Sequence, residues 1–202
     1  MQEEQNAEQN LWSDKNLIKI LKEGGVVVMP TDTLYGIVAR AEDREAVGKI
    51  YQIRKRAPQK PCIILIGDQS ELGKFSITLT EKQKNIFNEN GSSSFSVAQG
   101  LRPTSIVLDC TDDKLEYLHR GTNTLAFRLS ASKDLRDLLI EVGPLIAPSA
   151  NPEGLTPAKN ISEARNYFGE QVDLYVDGGE INREPSRVIR LHPDGSTSIL
   201  RS

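Results

Sequence analysis

The chain has 202 residues, 38% hydrophobic, 26% charged and 5% aromatic, with 15 Gly and 10 Pro. This is globular composition, which excludes wholesale disorder, collagen and coiled coil, and at this length a single domain with a sizeable core is expected. The net charge of −3, from 25 basic and 28 acidic residues, argues against broad nonspecific nucleic-acid binding while allowing a local basic pocket.

Residues 1–12 read as a flexible polar N-terminus and 13–202 as the folded domain. The opening MQEEQNAEQN is acidic and amidic, unlike a signal or transit peptide, and the apolar runs around 26–29 and 62–66 are far short of a membrane span. A cytoplasmic protein without membrane contact is the expectation. A helix starts at Ser13 or Asp14, carries Leu17, Ile18, Ile20 and Leu21, and stops at Gly24-Gly25. The β-branched run 26–29 predicts a strand buried on both faces, followed by a loop, PTDTLYG, from Pro30. Asp43 caps a helix with Ala46, Val47, Ile50, Tyr51 and Ile53 as its stripe. The basic segment 54–60 ends that helix, and 62–66 is a second buried strand.

A helical turn near 69–75 and a helix over 80–88 come next, then a Ser-rich stretch, 91–100, that reads as a mobile loop. Strands are expected at 105–109 and 125–129. Ser132 caps a helix bearing Leu135, Leu138, Leu139 and Val142, closed by Gly143-Pro144. Residues 145–147 lead into a polar loop, PSANPEGLTP. Asn160 and Glu163 have capping-box spacing for a helix to Phe168. Strands at 175–176, 187–191 and 197–200 close the chain, the last two joined by a Pro-Asp-Gly turn. The order predicts a single α/β domain built on a twisted, mixed parallel and antiparallel sheet flanked by helices.

No P-loop, dinucleotide fingerprint or nucleophile elbow is present. His119 and His192 lie in polar turns and read as surface residues. Cys62 and Cys110 read as small buried hydrophobes in a reducing compartment, and the spacing offers no metal-ligand set. Three polar loops do leave the ends of buried strands: Thr31-Asp32-Thr33, Arg54 through Lys60, and Ser149-Ala150-Asn151. Open α/β sheets bind ligands in such places, and these side chains donate to phosphate or carboxylate. Arg128 sits inside an apolar strand, where an unpaired cation would cost several kcal/mol. Each feature has a plainer reading, as a turn, a solvated helix end or the wet face of an edge strand. Together they describe an anion-binding enzyme.

At these loops the chain resembles the YrdC-like family of threonylcarbamoyl-AMP synthases. GGVVVMPTDTLYGI is similar to the family's strand and P-T-[DE]-T-x-Y-G loop, IRKRAPQKPCIIL to its I-K-x-R-P-x-x-[KN]-P-L segment, and GTNTLAFRLS to its V-x-V-R strand. PLIAPSANPEG is similar to its S-A-N-x-S-G loop, and VDGGEINREPSRVIRL with SILR to its D-G-G, P-S-T-V and I-x-R ending. The resemblance implies condensation of L-threonine, bicarbonate or CO2, and ATP, with Mg²⁺, to threonylcarbamoyl-AMP and pyrophosphate. A separate tRNA threonylcarbamoyl transferase would use the product downstream, in threonylcarbamoyladenosine modification of tRNA. By motif position, Thr33, Arg128 and Ser186 would meet threonine, and Arg56, Lys60, Ser105, Ser149, Asn151 and Arg201 the nucleotide. No acid–base residue or metal ligand is implied; positioning and charge would carry catalysis, with Arg54 and Arg56 the most critical.

The sequence also departs from the family pattern. Arg54 replaces a lysine, Ala57 a proline, Leu65 a histidine near threonine, and Glu153 a serine whose place a carboxylate would make repulsive to phosphate. A W-P-G-P-L-T-type motif is reduced to Arg102-Pro103-Thr104-Ser105. Two alternatives therefore stand beside the synthase: a drifted relative binding a nucleotide or another anion, and an RNA-binding module whose basic loops contact tRNA or double-stranded RNA.

Overall fold

In the computed structural model, residues 10–91 and 102–202 are described. The expectation of a flexible N-terminus through residue 9, and that of a mobile loop beyond Gly91, lie outside them. The first described turn, Leu11–Ser13, is anchored by the Trp12 indole, whose Nε1 donates to the Pro30 carbonyl at 3.3 Å.

Helix α1 (Lys15–Lys22) begins where Asp14 accepts the Leu17 N–H at 2.7 Å, and it buries Leu17 and Leu21. Strand β1 (Val27–Pro30) is buried at every position. The chain then turns tightly, the Thr31 N–H donating to the Leu34 carbonyl at 3.0 Å, and returns as β2 (Tyr35–Arg40), antiparallel to β1. This hairpin corrects the expectation of a loop through Gly36. Hydroxyls and an acidic residue in the turn masked a strand that starts at Tyr35. Gly36 belongs there because a Cβ would press on Thr31 Cγ2 at 3.1 Å.

Asp43 caps α2 (Arg44–Ile53), accepting from Glu45 and Ala46 N–H groups at 3.0 Å each. Strand β3 (Ile63–Ile66) follows, then a 3-10 segment Gln69–Phe75, α3 (Glu81–Gly91), β4 (Thr104–Asp109) and the short α4 (Glu116–His119). Strand β5 (Thr124–Leu129), α5 (Lys133–Val142), β6 (Leu145–Ile146) and α6 (Ile161–Phe168) lead to β7 (Leu174–Tyr175), β8 (Arg187–Leu191) and β9 (Thr197–Arg201).

Among the described residues the strands form one nine-stranded sheet in the order β7-β1-β2-β6-β3-β5-β4-β8-β9. The β1/β7, β3/β5 and β4/β8 pairs are parallel and the rest antiparallel, giving the mixed sheet that the element order predicts. The β8/β9 ladder contains a bulge. Ile199 opposes Ile189 but Arg201 opposes Val188, so Leu200 is the extra residue.

Period-2 alternation sends Leu125 and Phe127 of β5, Ile106 and Leu108 of β4 and Ile189 of β8 to one face. There they pack with Ala46, Val47 and Ile50 of α2, Phe87 of α3, and Ala164 and Phe168 of α6. Phe75 meets Phe127 edge-on at 5.1 Å. Each such large side chain contributes about 1.5–3 kcal/mol on burial. On the opposite face, Val27, Met29, Val38, Leu65 and Leu145 are covered by α1 and α5. That cover serves the β1–β2–β6–β3 half, and the neighbouring strands on this face line a cavity.

One further expectation is corrected. His119 is 2% exposed, not a surface residue: it ends α4, which packs on α2, and its Nδ1 accepts the Gly121 N–H at 3.2 Å. Leu65, expected near threonine, is the ladder neighbour of Arg128, buried in the second core and not among the cavity's lining residues.

Candidate active site

The cavity has a volume of about 530 Å³, within the usual range for small-molecule sites. Its floor is the uncovered sheet face, with Ile63 of β3, Thr124, Ala126 and Arg128 of β5, Val107 of β4 and Val188 of β8. Its walls come from the three loops singled out in the sequence, with Thr31, Thr33, Leu34 and Tyr35 on one side, then Arg54 with Arg56, and Pro148-Ser149. Pro185-Ser186 and Leu200-Arg201 close the far side. The strand β5 explains the mixture. Odd positions enter the core, and even positions present Thr124, Ala126 and Arg128 to the cavity.

Arg128 is 4% exposed and would be unsupported without a counterion. Its Nη2 donates to Asp32 Oδ1 at 2.8 Å, and the other Asp32 oxygen accepts the Ala131 N–H at 3.1 Å. Asp32 stands in one of the three polar loops expected to form a site, but no role of its own is assigned to it in the sequence. The signal lay in Arg128 itself, since a buried guanidinium demands a carboxylate. Arg128 Nε has no partner among the described residues. Beside it, Thr33 and Thr31 hydroxyls lie 3.2 Å apart.

A second cationic centre forms at the end of α2. Arg54, 3% exposed, donates from Nε to the Asn151 carbonyl at 2.8 Å and from Nη2 to Asn151 Oδ1 at 3.3 Å. Ser149 Oγ, 3.5 Å from that Nη2, donates to Asn151 Oδ1 at 2.6 Å. Arg54 Nη1 has no partner among the described residues. Burial, and then the charge of Arg56, lowers its pKa to about 10. Arg56 is steered by its own loop, donating to the carbonyls of Lys60 at 3.0 Å and Pro61 at 2.9 Å. At the third centre Arg201 donates twice to the Ser186 carbonyl, at 2.7 and 3.1 Å, and Ser186 Oγ sits 2.9 Å from Ser105 Oγ. Burial, then the Arg128 charge, lowers the Arg201 pKa.

Of the residues expected at a site, Thr33, Arg54, Arg56, Arg128, Ser149, Ser186 and Arg201 line the cavity. Ser105 is fully buried behind Ser186, and Asn151 is buried beneath its loop, holding the carbonyls of Pro152 and Leu155 at 2.9 and 2.7 Å. Lys60 is not on the cavity wall: its side chain is 62% exposed and ion-paired with Glu153. Tyr35, Cys62, Thr122 and Thr124 also line the cavity and were not singled out. No lining residue is a carboxylate, and among the described residues no group of three or more His, Cys, Asp or Glu could hold a metal ion. Nor is any helix of the described residues long and apolar enough to cross a membrane.

The Sua5/YciO/YrdC family model, described as telomere recombination, matches residues 19–202. A putative threonylcarbamoyl-AMP synthase of Mycobacterium leprae is 29% identical over 185 residues, covering 92% of this chain and 80% of its own. The threonylcarbamoyl-AMP synthase of Marinobacter nauticus is 30% identical over 169 residues, 82% of this chain and 84% of its own. Among solved structures, P. abyssi Sua5 complexed with L-threonine superposes with a TM-score of 0.80 at 24% identity, over 95% of this chain. E. coli YciO superposes with a TM-score of 0.72 at 23% identity, over 96% of this chain and 90% of its own. The chain spans about half of the P. abyssi Sua5 chain, 54% of its length.

Proposed function

The chain belongs to the Sua5/YciO/YrdC family, and on that premise we propose that it is a threonylcarbamoyl-AMP synthase. One observation carries the reading: a cavity walled by four guanidinium groups and several hydroxyls, with no carboxylate on its surface. Such a wall suits two anionic reactants and offers little acid–base chemistry.

In the proposed reaction the amine nitrogen of L-threonine, losing a proton to solvent, attacks the carbon of CO2 and forms a carbamate. A carbamate oxygen then attacks the α-phosphorus of ATP. The bond from that phosphorus to the bridging oxygen breaks, and pyrophosphate leaves with the electron pair. Arg128, its Nε–H unpartnered among the described residues and its plane fixed by Asp32, would hold the threonine carboxylate, flanked by Thr33 and Ser186. Arg54, through an Nη1 unpartnered among the described residues, and Arg56 would hold nucleotide phosphates. Ser149 and Asn151 would keep Arg54 in place, Arg201 would reach the nucleotide from the far wall, and Ser105 would orient Ser186. Fixing both reactants in line can supply about 7–11 kcal/mol of the barrier. Guanidinium groups already in place stabilise developing charge without reorganising.

The lining residues fit Mg²⁺ only as the counterion that ATP brings, because they offer it hydroxyls but no carboxylate. Bound there, it would screen the triphosphate. The product would pass to a separate transferase that acts on tRNA.

The test is pyrophosphate release by the purified protein with ATP, Mg²⁺, bicarbonate and L-threonine, omitting one component at a time. Release dependent on both threonine and bicarbonate is expected. ATP binding without threonine-dependent release would instead support a drifted relative with another acceptor, and a protein that binds no nucleotide would refute the reading.

A further inference from the structure

Two departures from the family pattern meet in space. Glu153 stands at a serine position and Ala57 at a proline position, and the Glu153 carboxylate accepts the Ala57 N–H with one oxygen and the Lys60 ammonium with the other. A proline at 57 would have no N–H to give. The substitutions are thus two halves of one contact.

The contact is held from both sides. Glu153 donates its own N–H to the Arg54 carbonyl at 2.8 Å, and Asn151 Nδ2 braces the Pro152 and Leu155 carbonyls around it. The facing loop is closed by Lys60 N–H on the Ala57 carbonyl at 3.1 Å and by Arg56 N–H on the Tyr51 carbonyl at 3.0 Å. A backbone N–H and an ammonium converging on one point, with Arg56 beside them, make the donor set that recognises a phosphate oxygen. The side chain of Glu153 fills it with a carboxylate. Lys60, Ala57 and then Arg56 hold that carboxyl below the usual carboxylate range, so it is charged at neutral pH.

We propose that Glu153 is an internal anion that occupies a phosphate cradle beside the Arg54 and Arg56 wall of the cavity and competes there with the nucleotide, setting its affinity for polyphosphates. This rests on the reading of the cavity as a nucleotide site. A phosphate can enter the cradle only when Glu153 swings away. With Glu153 docked, Lys60 is neutralised and nucleotide recognition falls to Arg54 and Arg56.

The experiment measures dissociation constants of ATP, inorganic pyrophosphate, adenosine and L-threonine by calorimetry on the wild type, Glu153→Ser and Glu153→Gln. Glu153 is partly exposed, and circular dichroism checks that the variants fold. Both variants are expected to bind ATP and pyrophosphate about five- to tenfold more tightly, with adenosine and threonine unchanged. Unchanged or weaker polyphosphate binding would overturn the proposal, the latter because Glu153 would then be positioning Lys60 for the ligand. Equal tightening of adenosine would overturn it too, as a change of cavity shape. If no protein binds ATP but the variants bind pyrophosphate more tightly, the nucleotide reading fails and the competing carboxylate stands. If none binds any anion, both fall.

Discussion

Replacing Asp32 with asparagine isolates the charge on which the Arg128 centre depends. The two side chains are 3% and 5% exposed, and their ion pair is 2.8 Å long. Asp32 serves two donors, Arg128 Nη2 and the Ala131 N–H, with two oxygens. Asparagine has the same size but a single acceptor oxygen and no charge. Removing one member of a buried pair costs about 3–5 kcal/mol, because the other is stranded. For a chain of this length each kcal/mol moves the melting temperature by about 2–4 °C, so Asp32→Asn should melt about 6–20 °C below the wild type. Adding Arg128→Leu should recover most of that loss, since the stranded charge goes with it. L-Threonine should also raise the melting temperature more in Asp32→Asn than in the wild type, its carboxylate supplying the missing anion. At a hundredfold excess over Kd, binding alone contributes about 2.7 kcal/mol. Differential scanning calorimetry reads all three. A drop under about 2 °C for Asp32→Asn, or no recovery in the double variant, would refute the idea that Arg128 depends on this one carboxylate.

Tyr35→Phe leaves the Gly178 N–H and Gly179 carbonyl, each 2.8 Å from the Tyr35 hydroxyl, without that partner, and should cost about 1–3 kcal/mol in denaturant unfolding. Arg54→Lys restores the lysine of the family pattern but loses the fork that grips the 149–151 loop. ATP affinity should fall about tenfold by calorimetry, and unchanged binding would show that the loop holds without it. The Arg54 pKa of about 10 lies below the usual arginine value, so the group is cationic below that pH and loses its charge above it. ATP affinity should therefore show no inflection from Arg54 between about pH 6 and 9 and should weaken as the pH passes 10; a loss centred near 7 would point to another group.

Much of the fold was legible because local chemistry and tertiary environment agree. Asp43, Ser132 and Asn160 cap the helices their sequence positions announce, each accepting an N–H of the first turn. The run 125–129 alternates as a strand should, with Arg128 as the discordant residue, and that discordance was the strongest pointer to the cavity. The hairpin return at Tyr35 was hidden because polar turn residues and Gly36 interrupt the apolar pattern. His119 looked solvated from its neighbours in sequence, yet it ends a four-residue helix that packs on α2, a contact distant in the chain. Glu153 was legible as a repulsive presence near phosphate, but not as the partner of Ala57, because 96 residues separate the two. Leu65 was placed near substrate by motif position alone. Which helix covers a strand position is decided by α1 and α5, and no local pattern reveals it.

The bulge in β9 changes how densely an edge strand can furnish a binding surface. In a regular strand neighbouring side chains diverge to opposite faces, so one face receives a side chain only about every 7 Å. At Leu200 the phase slips, and Leu200 and Arg201, consecutive in the chain, both line the cavity. An apolar patch and a cation thus stand side by side on one short stretch of backbone, a pairing suited to a ligand whose flat and charged parts adjoin. Their spacing is a property of the ladder rather than of either residue. Removing Leu200 would restore the regular register with Arg201 still opposite Val188, and would take away the apolar half of the pair while leaving the charged half in place.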